Sequence, residues 1–166
     1  MIRRKVCMLG AFAVGKTSLV ERFVHSIFSE DYLTTVGVRI EKKELSVDGV
    51  EVVLVIWDLH GDDDFQQVRS SYVRGSSGFV LIADGTRART VEAALTLRDR
   101  MSEDLGDVPS VFLLNKSDLA DEWELDDAAL ERLRAEGLSP RLTSAKTGEG
   151  VEDAFHELAA RMMAPK

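Results

Sequence analysis

The chain contains a single cysteine, Cys7, so it can form no internal disulfide and build no zinc centre from thiolates. It is also short of cations: 21 Lys and Arg stand against 29 Asp and Glu, and the formal net charge is −8. A main partner made of nucleic acid, or an anionic membrane surface, would need clustered Lys and Arg, so both are disfavoured. No apolar run is long enough to span a bilayer, and no secretory leader opens the sequence. Position 2 is Ile2 rather than a myristoylatable glycine, and the final MMAPK carries no cysteine to prenylate, so no direct lipid anchor is expected. His25, His60 and His156 lack metal-ligand spacing. Internal repeats, low-complexity tracts and Pro/Gly-rich linkers are absent as well. The expectation is a cytoplasmic protein with one domain over residues 1–166, large enough for one good core.

What the sequence does hold is an alternation of short apolar runs and helical patterns. KVCML (5–9) is a β-rich run ending at Gly10, and residues 16–25 read as a helix after a glycine-rich turn. VRIEKKELSV and EVVLVIW flank Asp48-Gly49, a two-residue hairpin signal. FVLIAD (79–84) and SVFLLN (110–115) are apolar throughout, as strands buried on both faces of a parallel sheet must be. Residues 90–104 between them read as a helix with Thr90 as its cap. Leu125, Ala129, Leu130 and Leu133 mark a short amphipathic helix, and Val151, Ala154, Phe155, Leu158 and Met162 a longer one. The stretch 121–127, DEWELDD, reads as a solvated loop and helix start. The sum is an α/β domain with a mainly parallel sheet and one antiparallel edge strand. Ligands of such sheets bind beyond the carboxyl ends of the strands.

Residues 10–17, GAFAVGKT, fit G-x-x-x-x-G-K-[ST] and lie between a strand and a helix. A loop of this kind points successive backbone N–H groups at phosphates, and the following helix adds its positive end. Gly10 and Gly15 supply close backbone approach and unusual dihedrals. The expected phosphate contacts run through Gly10, Ala13, Val14, Gly15, Lys16, Thr17 and Ser18. Lys16 would reach the β- and γ-phosphates as a point charge, and the Thr17 hydroxyl would ligate magnesium.

The base follows from NKSD (115–118), which ends the second apolar strand. Guanine presents N1–H and its exocyclic amine side by side, and the Asp118 carboxylate can accept both; adenine has no such pair. The Lys116 stem can lie along the base, beside Asn115. Downstream, the Ser144-Ala145-Lys146 turn of TSAKTGEG can offer a backbone N–H to the base carbonyl.

GAFAVGKT, the Thr35 of YLTTVGV, WDLHG, NKSD and TSAK stand in the order and spacing of Ras-like small GTPases, and the chain resembles that family over almost its whole length. YLTTVGV and the Trp-Asp of WDLHG resemble the Rab branch. The resemblance implies a P-loop GTPase domain with a six-stranded sheet and about five flanking helices. It implies GTP and GDP binding with magnesium, and effectors and regulators that read two switch segments at about 29–40 and 58–75. By the same resemblance Thr35 meets magnesium and the γ-phosphate, Asp58 holds magnesium through a water, and the Gly61 N–H bonds the γ-phosphate. Phe28 matches the aromatic that packs edge-on against the base, and Tyr32 the tyrosine that closes over the phosphates. Thr34 would replace Thr35 if the loop were shifted by one, but the following Val36-Gly37-Val38 favours Thr35.

Two positions depart from the family pattern. Asp62 stands where the family has a glutamine whose amide orients the attacking water. An ionised carboxylate only accepts, and it adds negative charge beside the γ-phosphate; unit charges about 4 Å apart repel by roughly 4 kcal/mol at an effective dielectric near 20. Phe12 replaces a small residue on the approach path of an activator's arginine. His60, Gln66 and Gln67 are candidates to orient water instead, and Arg39 or Arg74 to act as an arginine in cis. The expected function is a guanine-nucleotide switch with slow GTP hydrolysis, in which Lys16, Thr35, Gly61 and Asp62 bear on the chemistry. A GTP-binding interaction module with negligible hydrolysis is the alternative. A small-molecule phosphotransferase has no arginine-rich lid in the sequence to support it.

Overall fold

The computed structural model describes residues 2–28, 38–58 and 70–164. Six strands form one sheet: β1 (Ile2–Gly10), β2 (Arg39–Val47), β3 (Val50–Asp58), β4 (Gly78–Asp84), β5 (Ser110–Asn115) and β6 (Arg141–Leu142). Their order is β2-β3-β1-β4-β5-β6. Only the β2–β3 pair is antiparallel, joined where Val47 faces Val50. Asp48 and Gly49 take φ of 50° and 81° there, the two positive values that a two-residue hairpin turn demands. Among the described residues the helices are α1 (Lys16–His25), α2 (Ser70–Val73), α3 (Arg89–Leu105), α4 (Asp127–Ala135) and α5 (Val151–Met163).

Strand alternation sorts the core into two layers. Val6 and Met8 of β1, Val80 and Ile82 of β4, and Val111 and Leu113 of β5 face α1 and α5. Cys7, Leu9, Phe79, Leu81, Phe112 and Leu114 face the other way, onto Ala94, Leu97 and Met101 of α3. Phe23 of α1 and Phe155 of α5 stack with ring centroids 4.0 Å apart, which pins the two helices together. Such a pair contributes about 0.5–1.5 kcal/mol beyond its buried area.

Parallel pairing brings the carboxyl ends of the central strands to one rim. Met8 pairs with Asp58, Gly10 with Ile82, and Asp84 with Asn115. The loops after β1, β3, β4 and β5 therefore leave from the same edge.

Three local expectations need correction. β1 begins at Ile2 rather than Lys5, because Ile2, Arg3 and Arg4 pair with Val52, Val53 and Leu54. Thr90 does not cap α3, whose N-cap is Ala88. Its buried hydroxyl instead accepts from the Asp84 N–H at 2.8 Å and donates to the Arg87 carbonyl at 2.7 Å, joining the helix to the end of β4. DEWELDD is a solvated loop and helix start in its five exposed acids, but not throughout: Asp121 and Glu122 end a 3-10 helix (Ser117–Glu122), and Trp123 and Leu125 pack on the α3 side of the core before α4. Asp126 caps α4 by accepting from the Ala129 N–H at 2.8 Å.

Candidate functional site

The loop from Gly10 to Lys16 is held by its own carbonyls. Lys16 Nζ donates to the Gly10 and Ala11 carbonyls at 2.9 and 3.3 Å. Arg87 Nη2 donates to Phe12 O at 2.7 Å, Lys116 Nζ to Ala13 O at 3.2 Å, and Asn115 Nδ2 to Val14 O at 2.9 Å. In a trans peptide the carbonyl and the next N–H point in opposite directions. Fixing the carbonyls of 12, 13 and 14 from three outside side chains therefore turns the N–H groups of 13, 14 and 15 to the other side of the loop.

The glycines are required by the protein itself as much as by any ligand. A Cβ on Gly10 would lie 2.5 Å from the Ile82 carbonyl oxygen, and one on Gly15 would lie 2.3 Å from Asn115 Nδ2. Gly15 also has φ of 104°, a left-handed value that side chains resist. Ala13 adopts φ of 61°, also in the left-handed region. Lys16, Thr17 and Ser18 then form the first turn of α1, whose N-cap is Gly15.

Lys16 is almost fully buried. Burial pushes its ammonium down to about 8, and the nearby Asp58 carboxylate pulls the other way. Asp58, fully buried at the end of β3, accepts from the Thr17 hydroxyl at 2.6 Å. An alcohol oxygen and a carboxylate oxygen meeting at a helix start are hard donors of the type magnesium prefers.

The loop after β5 is tied to the same cradle. Asn115 is buried, and its oxygen accepts from Thr143 Oγ1 at 3.1 Å. Lys116 has φ of 72°, its carbonyl accepts from Trp123 Nε1 at 2.8 Å, and its ammonium lies 2.8 Å from Asp84 Oδ2. Asp118 accepts from Ser144 Oγ at 2.7 Å. The 144–146 turn is gripped from outside: Arg22 of α1 donates to Ala145 O at 2.7 Å and to Lys146 O. Ser144's own N–H is bonded to the Glu149 carbonyl at 3.0 Å, so its part in the site runs through its hydroxyl. Phe28 is half-buried against the α1/α5 layer of the core.

Sequence reading overlooked Asp84, Arg87, Thr143, Trp123 and Arg22. Asp84 is buried yet carries two cations, Lys116 and Arg87, the latter through Nε at 3.1 Å. Burial pushes its carboxyl up, but hydrogen bonds from Lys116 and Thr86 outweigh this and hold it below the usual carboxylate range. An aspartate ending an all-apolar strand was the available signal. Trp123, a large aromatic in an acidic stretch, was another.

Tyr32, Thr35, Gly61 and Asp62 lie outside the described residues, as do His60, Gln66 and Gln67. Of the two candidate arginines in cis, Arg39 is bound to Glu21 and to Glu41, the latter at 2.8 Å. Arg74 offers its carbonyl to Lys5 Nζ at 2.9 Å. Ligand atoms of Glu21, His25 and Glu41 lie within 4.8 Å of one another, but Arg39 bridges the two carboxylates, which makes this an ion-pair network. Phe12 is 41% exposed. No helix among the described residues is long and apolar enough to cross a membrane.

Comparison with known proteins agrees with this geometry. The Ras family model matches residues 5–164. Ras-related protein Rab-7b of Bos taurus is 36% identical over 163 residues, covering 96% of this chain and 82% of the relative. Ras-related protein Rab-10 of Caenorhabditis elegans is 32% identical over 162 residues, 96% of this chain and 81% of the relative. Ras-related protein Rab-8B of Homo sapiens is 30% identical over 161 residues, 96% and 78%. A family match over nearly the whole chain, with Rab proteins among its relatives at 30–36% identity, makes this chain a member of the Ras family of small GTPases, of the Rab-like kind.

Proposed function

We propose that this chain is a guanine-nucleotide switch: one domain over residues 1–166 that binds GTP and GDP with magnesium and hydrolyses GTP slowly. The observation that carries the reading is the joining of two loops. Asn115 and Lys116 hold the carbonyls of Val14 and Ala13, so the loop suited to phosphate and the loop carrying Asp118 form one rigid cradle. Asp118, oriented by Ser144, accepts the two adjacent donors of guanine. The N–H groups of the 13–15 stretch, Lys16 and the start of α1 take the phosphates, with Ser18 following in the same turn. Ala145 and Lys146 present the turn beside the base, and Phe28 packs at its edge.

Thr17 and Asp58 would hold magnesium, with Thr35 completing the set in the triphosphate state. The ion supplies neutralisation of charge on the β- and γ-phosphate oxygens. Lys16 adds a buried positive charge, and the Gly61 N–H a further donor at the γ-phosphate. Asp62 cannot donate to the transferring group, which is the physical reason for a low rate. Segments 29–40 and 58–75 would report the nucleotide to effectors and regulators in the cytoplasm, with no part for nucleic acid.

Titration with fluorescent GDP and ADP, followed by chromatography of bound GTP after overnight incubation with magnesium, tests the reading. GDP should bind far more tightly than ADP, and GDP should accumulate above a protein-free control. Equal affinity for both bases would overturn it and revive the phosphotransferase. The exposure of Phe12 beside the cradle favours one second reading, a module that holds GTP for partner recruitment without turnover. Tight GTP binding with no GDP accumulation would select it.

A further inference from the structure

The three outside clamps on the phosphate loop have different origins. Asn115 and Lys116 belong to NKSD, the base-reading motif, whereas Arg87 comes from the turn between β4 and α3 and belongs to no motif recognised in the sequence. We propose that Arg87 is a positioning residue for the phosphate groups, acting through the Phe12–Ala13 peptide. The inference rests on the proposed reading of this loop as a nucleotide cradle.

Arg87 is preset for this contact. Its N–H donates to the Asp84 carbonyl at 2.9 Å, which closes the turn. Thr86 braces the same turn, donating to Asp84 Oδ1 from its N–H at 2.9 Å and from its hydroxyl at 2.7 Å. Asp84 Oδ2 then accepts from Arg87 Nε at 3.1 Å, and the far end of the guanidinium reaches Phe12 O at 2.7 Å. The planar fork makes both bonds at once, so one rotamer is selected before any ligand arrives.

The consequence falls on the opposite end of the peptide. A guanidinium donating to a carbonyl polarises the whole amide and strengthens its N–H as a donor. Phe12 O and the Ala13 N–H belong to one trans peptide, so the arginine pulls on the outside while the N–H faces the cradle. Asp84 also holds Lys116 at 2.8 Å, and Lys116 clamps the next carbonyl, Ala13 O. A single buried carboxylate thus seats the cations that orient two successive peptides. Arg87 does not touch the phosphates in this scheme; it sets how well the loop donates to them. Ala13 in a left-handed conformation has a specific need for such a brace.

The test uses the full chain as wild type, Arg87→Ala and Arg87→Lys, with magnesium. GDP and GMP affinities are measured by titration, and the phosphorus NMR spectrum of bound GDP is recorded. Arg87→Ala should weaken GDP binding about tenfold, the share of one charge-assisted hydrogen bond, and move the β-phosphate resonance. GMP, which lacks the β-phosphate, should change by less than about twofold. Arg87→Lys should recover part of the affinity and of the resonance position, since it keeps the charge and one donor. Unchanged GDP affinity with a superimposable spectrum in Arg87→Ala would overturn the inference. An equal loss for GMP and GDP would overturn it too, as a general loosening of the fold. Wild-type protein that fails to bind GDP would instead refute the nucleotide reading, and the inference with it.

Discussion

Asn115 donates to the Val14 carbonyl at 2.9 Å while its own oxygen accepts from Thr143 at 3.1 Å. One buried amide therefore joins the loops that follow β1, β5 and β6. It also explains Gly15, because the space a Cβ would need there is filled by the amide itself. Fold stability and nucleotide geometry meet at this side chain.

Replacing Asn115 by Ala should be costly before any ligand is added. Two buried groups, Val14 O and Thr143 Oγ1, would lose this partner, at about 1–3 kcal/mol. For a chain of this size that corresponds to a drop of roughly 2–10 °C in Tm. Thermal unfolding of nucleotide-free wild type and variant measures it. Coincident curves would show that the amide does not brace the cradle.

Asp118→Ala should separate recognition from stability. Asp118 is oriented by Ser144, but it lies at the surface of the 3-10 helix, where removing it leaves the core untouched. Guanine discrimination should fall by several kcal/mol-scale hydrogen bonds, about a hundredfold or more in affinity, while the unfolding midpoint shifts little. Retained GDP affinity would remove Asp118 from the base site.

Asp62→Gln should raise single-turnover GTP hydrolysis. The amide restores a donor and removes the negative charge that an ionised Asp62 carries. The comparison needs preloaded, magnesium-bound protein, so that nucleotide exchange does not limit the rate. A rate equal to or below wild type would overturn the part proposed for Asp62, with the Phe12 ring as the next candidate to truncate.

The distinction between what sequence reading found and what it missed has a physical basis. Apolar strands, the Asp48-Gly49 hairpin and the GAFAVGKT and NKSD motifs are local patterns, and local patterns are legible along a chain. Even so, GAFAVGKT signals what the loop offers phosphates and carries no sign of the clamps on its carbonyls. Arg87, Lys116 and Asn115 reach that loop from positions 75 to 103 residues away in sequence, and only the parallel register of β1, β4 and β5 brings them there. Within the 144–146 turn the Ser144 N–H is taken by the Glu149 carbonyl five residues on, so Ser144 acts through its hydroxyl on Asp118, a contact 26 residues away that the sequence does not signal. The sequence singles out neither Arg39 nor Arg74 as an arginine in cis; Arg87, which does bond the phosphate loop, is placed by a turn that carries no motif.

The Asp84 carboxylate gives a pH prediction with a defined sign. Its folded-state pKa lies below the ordinary carboxylate range because Lys116 and Thr86 bond the ionised form despite burial, and Arg87 sits against the same oxygen. A depressed folded pKa contributes stability that is fully present above the unfolded value of about 3.9 and is lost as pH falls through the lower folded value. Asp84→Asn keeps the shape but leaves Lys116 and Arg87 without their shared anion. Both cations are about a third exposed, so solvent tempers the loss, and about 1–3 kcal/mol is expected at neutral pH. Urea unfolding of wild type and Asp84→Asn, from pH 7 downward, should show wild type the more stable at pH 7. The gap should hold to about pH 5, shrink progressively below about pH 4, and close once the pH has fallen through the depressed folded value, where the wild-type carboxyl is as neutral as the amide. A gap that stays constant through that range would mean the carboxylate's charge is not what holds the two clamps.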